Sequence, residues 1–305
     1  WILRILVPLG GQKEFVQPHG FSNDIIAEQL GLEEWINPLE YDFDPQTVNQ
    51  ALRALYVASE SRQRLPRISG HLATNLKRLS GLVGLSKDDC QILGFVTLLQ
   101  HEPALNCASD TLGELSSMRV FQVLSKLLDL PRESIQSRLS AGGALGKSGL
   151  VNLFPRRGYH LEHKLELISR DFAETIVSFD ANPTDLLRNL VLPSSPGELK
   201  IDNYPHIEKE VGLLSHYLKS ALTTGRAGVN ILLYGKPGTG KSQLAKVLAQ
   251  RLKCDLFEVA SEDAEGDPIK AEKRLSSFRA AQNFFAVKKS LILFDEVEDI
   301  FSDGD

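Results

Sequence analysis

Two short sets of residues near the end of the chain have the types and spacing for phosphate chemistry. The first is Gly235-Lys236-Pro237-Gly238-Thr239-Gly240-Lys241-Ser242, between the apolar run 229–234 and the helix-like run 243–252. A strand, a glycine-rich turn and a helix in this order direct backbone N–H groups and a helix N-terminus at one phosphate chain. The spacing matches the nucleotide-binding P-loop pattern.

The second set is Asp295-Glu296, which directly follows the apolar run 290–294. A carboxylate at a strand end is suited to the shell of a magnesium ion, and this is the role that we expect for Asp295. Glu296 is placed to polarise an attacking water as a general base. An isolated Asp-Glu pair would more often be a solvated strand end, so the expectation depends on the P-loop.

Three apolar runs, 229–234, 256–260 and 290–294, alternate with helical patterns at 243–252 and 270–285. This alternation predicts a parallel, helix-covered sheet. Ligands of such sheets bind at the carboxyl ends of the strands, so the two sets should meet in one crevice.

The predicted roles follow from the charge of a nucleoside triphosphate with its magnesium ion. The catalytic residues are Glu296 and Lys241, and the metal ligands are Ser242 and Asp295. The cofactor-binding residues are Gly235, Pro237, Gly238, Thr239, Gly240, Lys241, Ser242, Gln243 and Asp295.

Residues 231–242 and 291–299 closely resemble the Walker A and Walker B segments of AAA+ ATPases, which are P-loop NTPases. The resemblance covers residues 203–301. It implies ATP rather than GTP, Mg²⁺, a further strand between the Walker A and Walker B strands, a helical lid and a homo-oligomer, usually a hexameric ring. It also implies that residues near the domain start, here Tyr204 and His206, help to enclose the adenine.

Residues 65–178 have helical apolar spacing. Ser86 and Asp89 have the spacing of a capping box, and residues 117–128 form one apolar face. A tight turn, a second helix at 132–139 and a β-like pair, 148–153 with 156–161, complete a pattern similar to a winged helix-turn-helix. In DNA-binding members the second helix enters the major groove. Its polar residues here are Arg132, Ser134, Gln136 and Arg138, with Arg156 and Arg157 near the wing tip.

The predicted fold is multidomain, α followed by α/β. We divide the chain into a mixed region, 1–65, a helical, winged-helix-like domain, 66–190, a linker, 191–202, and a partial P-loop α/β/α ATPase domain, 203–305. Met118 is the only methionine, so we expect a longer natural chain that is cut after Walker B. The sensor residues, the arginine finger and the lid of the family would then follow residue 305.

The composition is that of an ordinary protein, with 305 residues and a formal net charge of −5. The 3 cysteines form no C-x-x-C pair, and no apolar run is long enough to cross a bilayer. We therefore predict a cytoplasmic protein without a membrane partner, a disulfide framework or a zinc site.

The leading hypothesis is a Mg²⁺-dependent ATPase that couples turnover to remodelling of a macromolecular partner, with an unknown protein as the substrate. It is expected to be active in the complete, assembled protein. The alternative is an ATP-gated DNA-binding regulator that uses the basic winged-helix-like region, and we expect DNA to be the less favoured partner. A scaffold that has lost activity is disfavoured by the intact Lys241, Ser242, Asp295 and Glu296.

Overall fold

Helical apolar spacing dominates the first part of the chain, and the structure folds that part into helices. The computed structural model describes residues 1–36, 43–61, 68, 70–155, 158–182, 185–187, 189–226, 228–263, 266–286 and 288–298. The chain divides into two units, Trp1–Leu186 and Leu187–Asp305.

The first unit is mostly helical, with two short β pairs. Its helices are α1 (Ile2–Leu6), α2 (Gln12–Phe15), α3 (Asp24–Gln29), α4 (Pro45–Ser61), α5 (Gly70–Val83), α6 (Lys87–His101), α7 (Pro103–Asp110), α8 (Ser117–Leu128), α9 (Arg132–Leu139), α10 (Ala144–Ser148), α11 (Leu161–Lys164) and α12 (Arg170–Ser178). Its strands are β1 (Val16–Gln17), β2 (Gly20–Phe21), β3 (Val151–Leu153) and β4 (Leu165–Leu167). Helix α6 lies at the centre, because Ile92, Leu93 and Phe95 on it are fully buried and α5, α7, α8 and α12 contact it.

The N-terminal segment belongs to this unit. The Trp1 ring packs edge-on against Phe95, with the ring centroids 5.1 Å apart. The Arg4 guanidinium pairs with Glu60 at 2.8 Å and with Asp129 at 2.7 Å. These contacts join residues on both sides of the boundary predicted between 65 and 66, which therefore falls inside one unit.

A fully buried asparagine, Asn75, fastens α5 to the end of α12. Its amide nitrogen donates to the carbonyl oxygens of Ile176 at 3.0 Å and Phe179 at 2.7 Å, and its Oδ1 accepts from the Ala181 N–H at 3.3 Å. The amide of Asn75 thus bonds to backbone groups at the end of α12, where backbone carbonyl groups lack partners within the helix.

Helix α6 begins at the capping box that the sequence predicts. The Ser86 Oγ accepts from the Asp89 N–H at 3.2 Å, and the Asp89 Oδ2 accepts from the Ser86 N–H at 2.9 Å. Arg138 of α9 reaches this cap and pairs with Asp88 at 2.9 Å and with Asp89 at 3.0 Å. One arginine therefore links the start of α6 to α9.

We predict that Asp89→Ala lowers the free energy of unfolding by about 2 kcal/mol, because it removes the cap and leaves Arg138 without its buried partner. The Asp89 side chain is 3% exposed, whereas that of Asp88 is 34% exposed. Asp88→Ala is the matched control and should cost less than about 1 kcal/mol. Denaturant unfolding measures both, and equal losses would show that burial does not govern this network.

Helices α8 and α9 are joined by a turn in which Asp129 has a left-handed backbone, φ +54°. Helix α8 has the predicted bounds, and β3 pairs antiparallel with β4. The predicted β pair is partly wrong, because the partner of β3 is Leu165–Leu167 and not 156–161. Within the latter range, Tyr159 bridges Leu115 and helix α11 begins at Leu161. Arg156 and Arg157 lie outside the described residues.

The second unit contains a three-stranded sheet and three α-helices among its described residues. The helices are α13 (Glu208–Thr224), α14 (Lys241–Leu252) and α15 (Ala271–Phe284), and the strands are β5 (Val191–Pro193), β6 (Asp255–Val259) and β7 (Ser290–Leu293). The strand order is β5-β6-β7. A buried cluster joins α13 to α14 through Tyr204, Val211, Leu218, Leu244 and Leu248.

The sheet differs from the predicted parallel one at two places. Strands β6 and β7 are parallel as predicted, but β5 pairs antiparallel with β6. The apolar run 229–234 forms no strand, and none of the described residues pairs with it. A strand requires a hydrogen-bonded neighbour, which an apolar pattern does not supply. Leu232 and Tyr234 are accordingly 71% and 89% exposed, while Leu233 packs against the buried cluster.

The predicted linker, 191–202, is largely part of the second unit. Its first residues form β5, and the Ser194 hydroxyl donates to Glu258 of β6. On α14, Lys246 donates to the Ser195 Oγ at 3.2 Å. The Pro- and Ser-rich composition signals a loop correctly, but hydrogen bonds hold this loop on the sheet and on α14.

None of the helices in the described part of the chain combines the length and apolar character that a bilayer-spanning helix requires.

Candidate functional site

The glycine-rich loop is a tight turn in front of α14. Gly238 and Gly240 have left-handed backbones, with φ of +75° and +83°, which glycine adopts without a steric cost. Helix α14 starts directly after Gly240, and no side chain caps its first N–H groups. Uncapped amides at a helix N-terminus are donors for an anion.

Polar side chains of the loop bond to the loop itself. The Lys241 ammonium donates to the carbonyl oxygens of Gly235 at 3.1 Å and Lys236 at 3.2 Å. The Thr239 hydroxyl donates to the Lys236 carbonyl at 2.9 Å. Residues 235–239, including Pro237, are exposed. The loop therefore presents a cation and backbone groups to solvent.

The two predicted sets of residues meet at one contact. The Ser242 hydroxyl in the first turn of α14 donates to the Asp295 carboxylate at 2.5 Å. The other Asp295 oxygen accepts from the Glu296 N–H at 3.1 Å. Glu296 is exposed, and its backbone is left-handed with φ +52°. The Ser242 hydroxyl of α14 thus contacts the first of two consecutive acidic residues that follow β7.

The oxygen donors at this contact fit Mg²⁺. A protein usually binds Mg²⁺ with one or two carboxylates, while phosphate oxygens and water complete the shell. Ser242 and Asp295 provide such a pair beside the exposed loop. No group of three or more His, Cys, Asp or Glu side chains suited to a metal occurs among the described residues.

Tyr204 packs behind the glycine loop. Its side chain is buried, and its hydroxyl donates to the Gly240 carbonyl at 2.9 Å. Burial raises the pKa of the Tyr204 phenol, so the hydroxyl stays a donor. His206 is exposed, with its ring 6.4 Å from that of Tyr204. The two residues that the family resemblance assigned to adenine thus differ in burial, since Tyr204 is buried against the loop and His206 is exposed.

Gln243 lies on α14 but faces the segment before the loop. Its Oε1 accepts from the Glu198 N–H at 2.9 Å. This side chain fastens the 194–199 segment to α14 rather than contacting the glycine loop or Asp295. The predicted cofactor role of Gln243 has no support in this contact.

The sequence motifs do not predict one further residue of the site. Arg274 of α15 is 2% exposed and donates to the carbonyl oxygens of Asp295 at 2.5 Å and Glu296 at 3.4 Å. An arginine within an amphipathic helix is most often solvated, and nothing in its local pattern points to β7. Only the fold brings α15 to the end of that strand.

We predict that Gly240→Ala destabilises the protein by about 2 kcal/mol, compared with about 1 kcal/mol for Gly238→Ala. Both glycines are left-handed, but a Cβ at Gly240 would lie 3.1 Å from the Tyr204 Oη, whereas one at Gly238 meets no heavy atom within 4 Å. Denaturant unfolding of the nucleotide-free protein measures the difference. Similar losses of stability in the two variants would mean that the Tyr204 side chain moves away from the added Cβ at little cost.

Comparison with known proteins agrees with this geometry. Residues 231–305 match the family described as ATPase family associated with various cellular activities (AAA). The chain is 31% identical over 107 residues to the replication factor C large subunit of Sulfolobus acidocaldarius, a match that covers 35% of this chain and 23% of that protein.

Two further relatives extend the comparison. The replication factor C large subunit of Sulfurisphaera tokodaii is 37% identical over 76 residues, which cover 25% of this chain and 17% of that protein. The vacuolar protein sorting-associated protein 4 of Dictyostelium discoideum is 33% identical over 142 residues, which cover 40% of this chain and 30% of that protein. The chain thus spans less than a third of the length of these relatives. No solved structure matches the chain significantly.

Proposed function

We propose that this chain, whose residues 231–305 match the AAA family of ATPases, binds ATP with Mg²⁺ and hydrolyses it to remodel a macromolecular partner. The observation that carries this proposal is the 2.5 Å contact between Ser242 and Asp295, which joins the P-loop helix to the acidic end of β7. Neither motif alone would support hydrolysis as well as binding.

In this proposal the loop and the start of α14 hold the phosphates. The uncapped amides bind phosphate oxygens, and Lys241 exchanges its two carbonyl partners for the terminal phosphates. Ser242 and Asp295 would hold the metal with their side-chain oxygens. When bound, Mg²⁺ supplies positive charge that neutralises the phosphate oxygens.

Glu296 is the proposed general base. Its exposed carboxylate follows Asp295 directly, so it lies at the same strand end as the metal-binding oxygens. It accepts a proton from the water that attacks the terminal phosphate. Lys241 balances the negative charge on that phosphate. Tyr204 braces Gly240 from behind, and His206 is left as the residue proposed to contact adenine.

We propose that the chain hydrolyses ATP as part of an oligomer. Two of the relatives are named as large subunits of a factor, and a homo-oligomer, by family resemblance a hexameric ring, is the arrangement that we propose for this chain. The helical first unit would recruit the protein partner, in a cytoplasmic setting.

The alternative, a DNA-binding regulator, is not favoured. Its groove-reading helix would be α9 of a winged-helix-like module, with Arg132 and Arg138 among the phosphate or base contacts. Arg138 is instead engaged by Asp88 and Asp89, and an arginine held by two carboxylates carries little net positive charge to a phosphate backbone.

The proposal is tested with the full-length protein and Lys241→Ala. We expect the variant to bind ATP about 10- to 100-fold more weakly, since a charge-assisted contact to phosphate is lost. Binding is measured with a fluorescent ATP analogue, and turnover by phosphate release.

Lys236→Ala is the matched control, because Lys236 lies in the same loop but outside the residues proposed to bind phosphate through their side chains. It should retain affinity to within about threefold. Wild-type protein that binds no ATP, or binding that is unaffected in Lys241→Ala, would overturn the proposed function.

A further inference from the structure

A buried arginine holds the backbone on which both acidic residues of the site are mounted. The two terminal nitrogens of Arg274 donate to the carbonyl oxygens of Asp295 and Glu296, at 2.5 and 3.4 Å. The arginine is 2% exposed although it lies on a helix, α15, whose neighbouring Arg279 is exposed. Its guanidinium is therefore oriented towards β7 and away from solvent.

The aromatic ring before the acids fixes the guanidinium from another side. The Arg274 Cζ lies 4.6 Å from the centroid of the Phe294 ring, and the Phe278 ring of α15 meets Phe294 edge-on with the centroids 5.5 Å apart. A planar guanidinium suits such an arrangement, since it can stack on a ring and donate two hydrogen bonds in fixed directions. Three consecutive residues, Phe294, Asp295 and Glu296, are thus contacted by one side chain.

The backbone at this point requires support. Glu296 has a left-handed conformation, φ +52°, which costs a residue with a Cβ about 1 kcal/mol or more. Such conformations persist where the surroundings fix them. The two carbonyl oxygens that accept from Arg274 belong to the peptides before and after the Glu296 Cα. The hydrogen bonds therefore restrict both peptide planes around this residue and hold the backbone from which the Asp295 and Glu296 side chains extend.

We propose that Arg274 is a positioning residue that sets the Asp295 carboxylate against Ser242 and thereby determines how strongly Mg²⁺ enhances ATP binding. This inference rests on the proposed function and names a residue that the P-loop and strand-end motifs do not include. The proposed role assigns Arg274 no contact of its own with ATP or the metal. It acts through the backbone of Asp295 and Glu296.

The test is the ratio of ATP affinities with Mg²⁺ and with EDTA, measured by fluorescence on the full-length protein. Arg274→Lys keeps the charge but loses the planar fork, and we expect it to reduce the enhancement by Mg²⁺ about tenfold. Affinity in EDTA should stay within about twofold of wild type. Arg279→Lys, the same change at the exposed arginine of α15, should leave both affinities unaltered.

This ratio separates positioning from a general packing role. A variant that is merely less stable binds less ATP in both buffers, so the ratio does not change, and thermal unfolding reports the folded fraction. Arg274→Gln, which retains a single donor group, serves if Arg274→Lys does not fold. An unchanged ratio in the folded variant, beside weak binding by Lys241→Ala, would overturn the role of Arg274 and leave the ATPase proposal intact. Absence of ATP binding by the wild type would overturn both.

Discussion

Glu296→Gln is expected to leave ATP binding within about threefold of wild type and to slow turnover by roughly 10²- to 10⁴-fold. The amide has nearly the shape of the carboxylate but cannot accept a proton from water. The surrounding contacts should survive, because Arg274 and Asp295 bond to the backbone of residue 296 and not to its side chain. Gln also has the same backbone preferences as Glu at this left-handed position.

Phosphate release under saturating ATP measures the rate, and the fluorescent analogue measures binding. Glu272→Gln, the same chemical change at an exposed acid in the first turn of α15, controls for the loss of a charge. A turnover rate in Glu296→Gln equal to that of the wild type would remove Glu296 from the mechanism. A parallel loss of binding would mean that the residue holds the substrate rather than activating water.

Asn75→Ala is expected to lower the free energy of unfolding by about 3 kcal/mol. The substitution leaves the carbonyl oxygens of Ile176 and Phe179 and the N–H of Ala181 without the partner that they have in the folded chain. Each buried polar group left unsatisfied costs about 1–3 kcal/mol, and water that enters the small space recovers part of this.

Denaturant unfolding followed by circular dichroism gives the free energy. Thr74→Ala, one residue away, removes an exposed hydrogen bond to the Gly70 carbonyl and should change stability by less than about 0.5 kcal/mol. A loss of under 1 kcal/mol in Asn75→Ala would indicate that the end of α12 is held by its apolar contacts alone.

The predictions that the structure confirms in the first unit rest on local patterns. The capping box at Ser86 and Asp89 and the helix Ser117–Leu128 depend on residues within a few positions of one another. The contacts that join residues 1–65 to the rest of the first unit could not be predicted, because they depend on distant pairs, such as Arg4 with Asp129. Neither residue has a local feature that identifies its partner.

The same distinction holds at the candidate site. The meeting of Ser242 with Asp295 was predictable from two motifs, the glycine-rich loop before a helix and the acidic pair after an apolar run. The absence of a strand at 229–234 was not predictable, because a strand forms only beside a hydrogen-bonded neighbouring strand. Two further contacts could not be predicted, because both follow from how loops and helices pack. They are the hydrogen bond between Glu198 and Gln243 and the burial of Arg274 against the end of β7.

The left-handed backbone of Glu296 has a consequence for engineering. Glycine or asparagine adopts this conformation at lower cost, so either would relieve strain that glutamate retains. A redesign guided by thermal stability would rank position 296 among the first to change, and would thereby delete the carboxylate on which turnover is proposed to depend. At this residue, the side chain that favours thermal stability differs from the one that turnover is proposed to require.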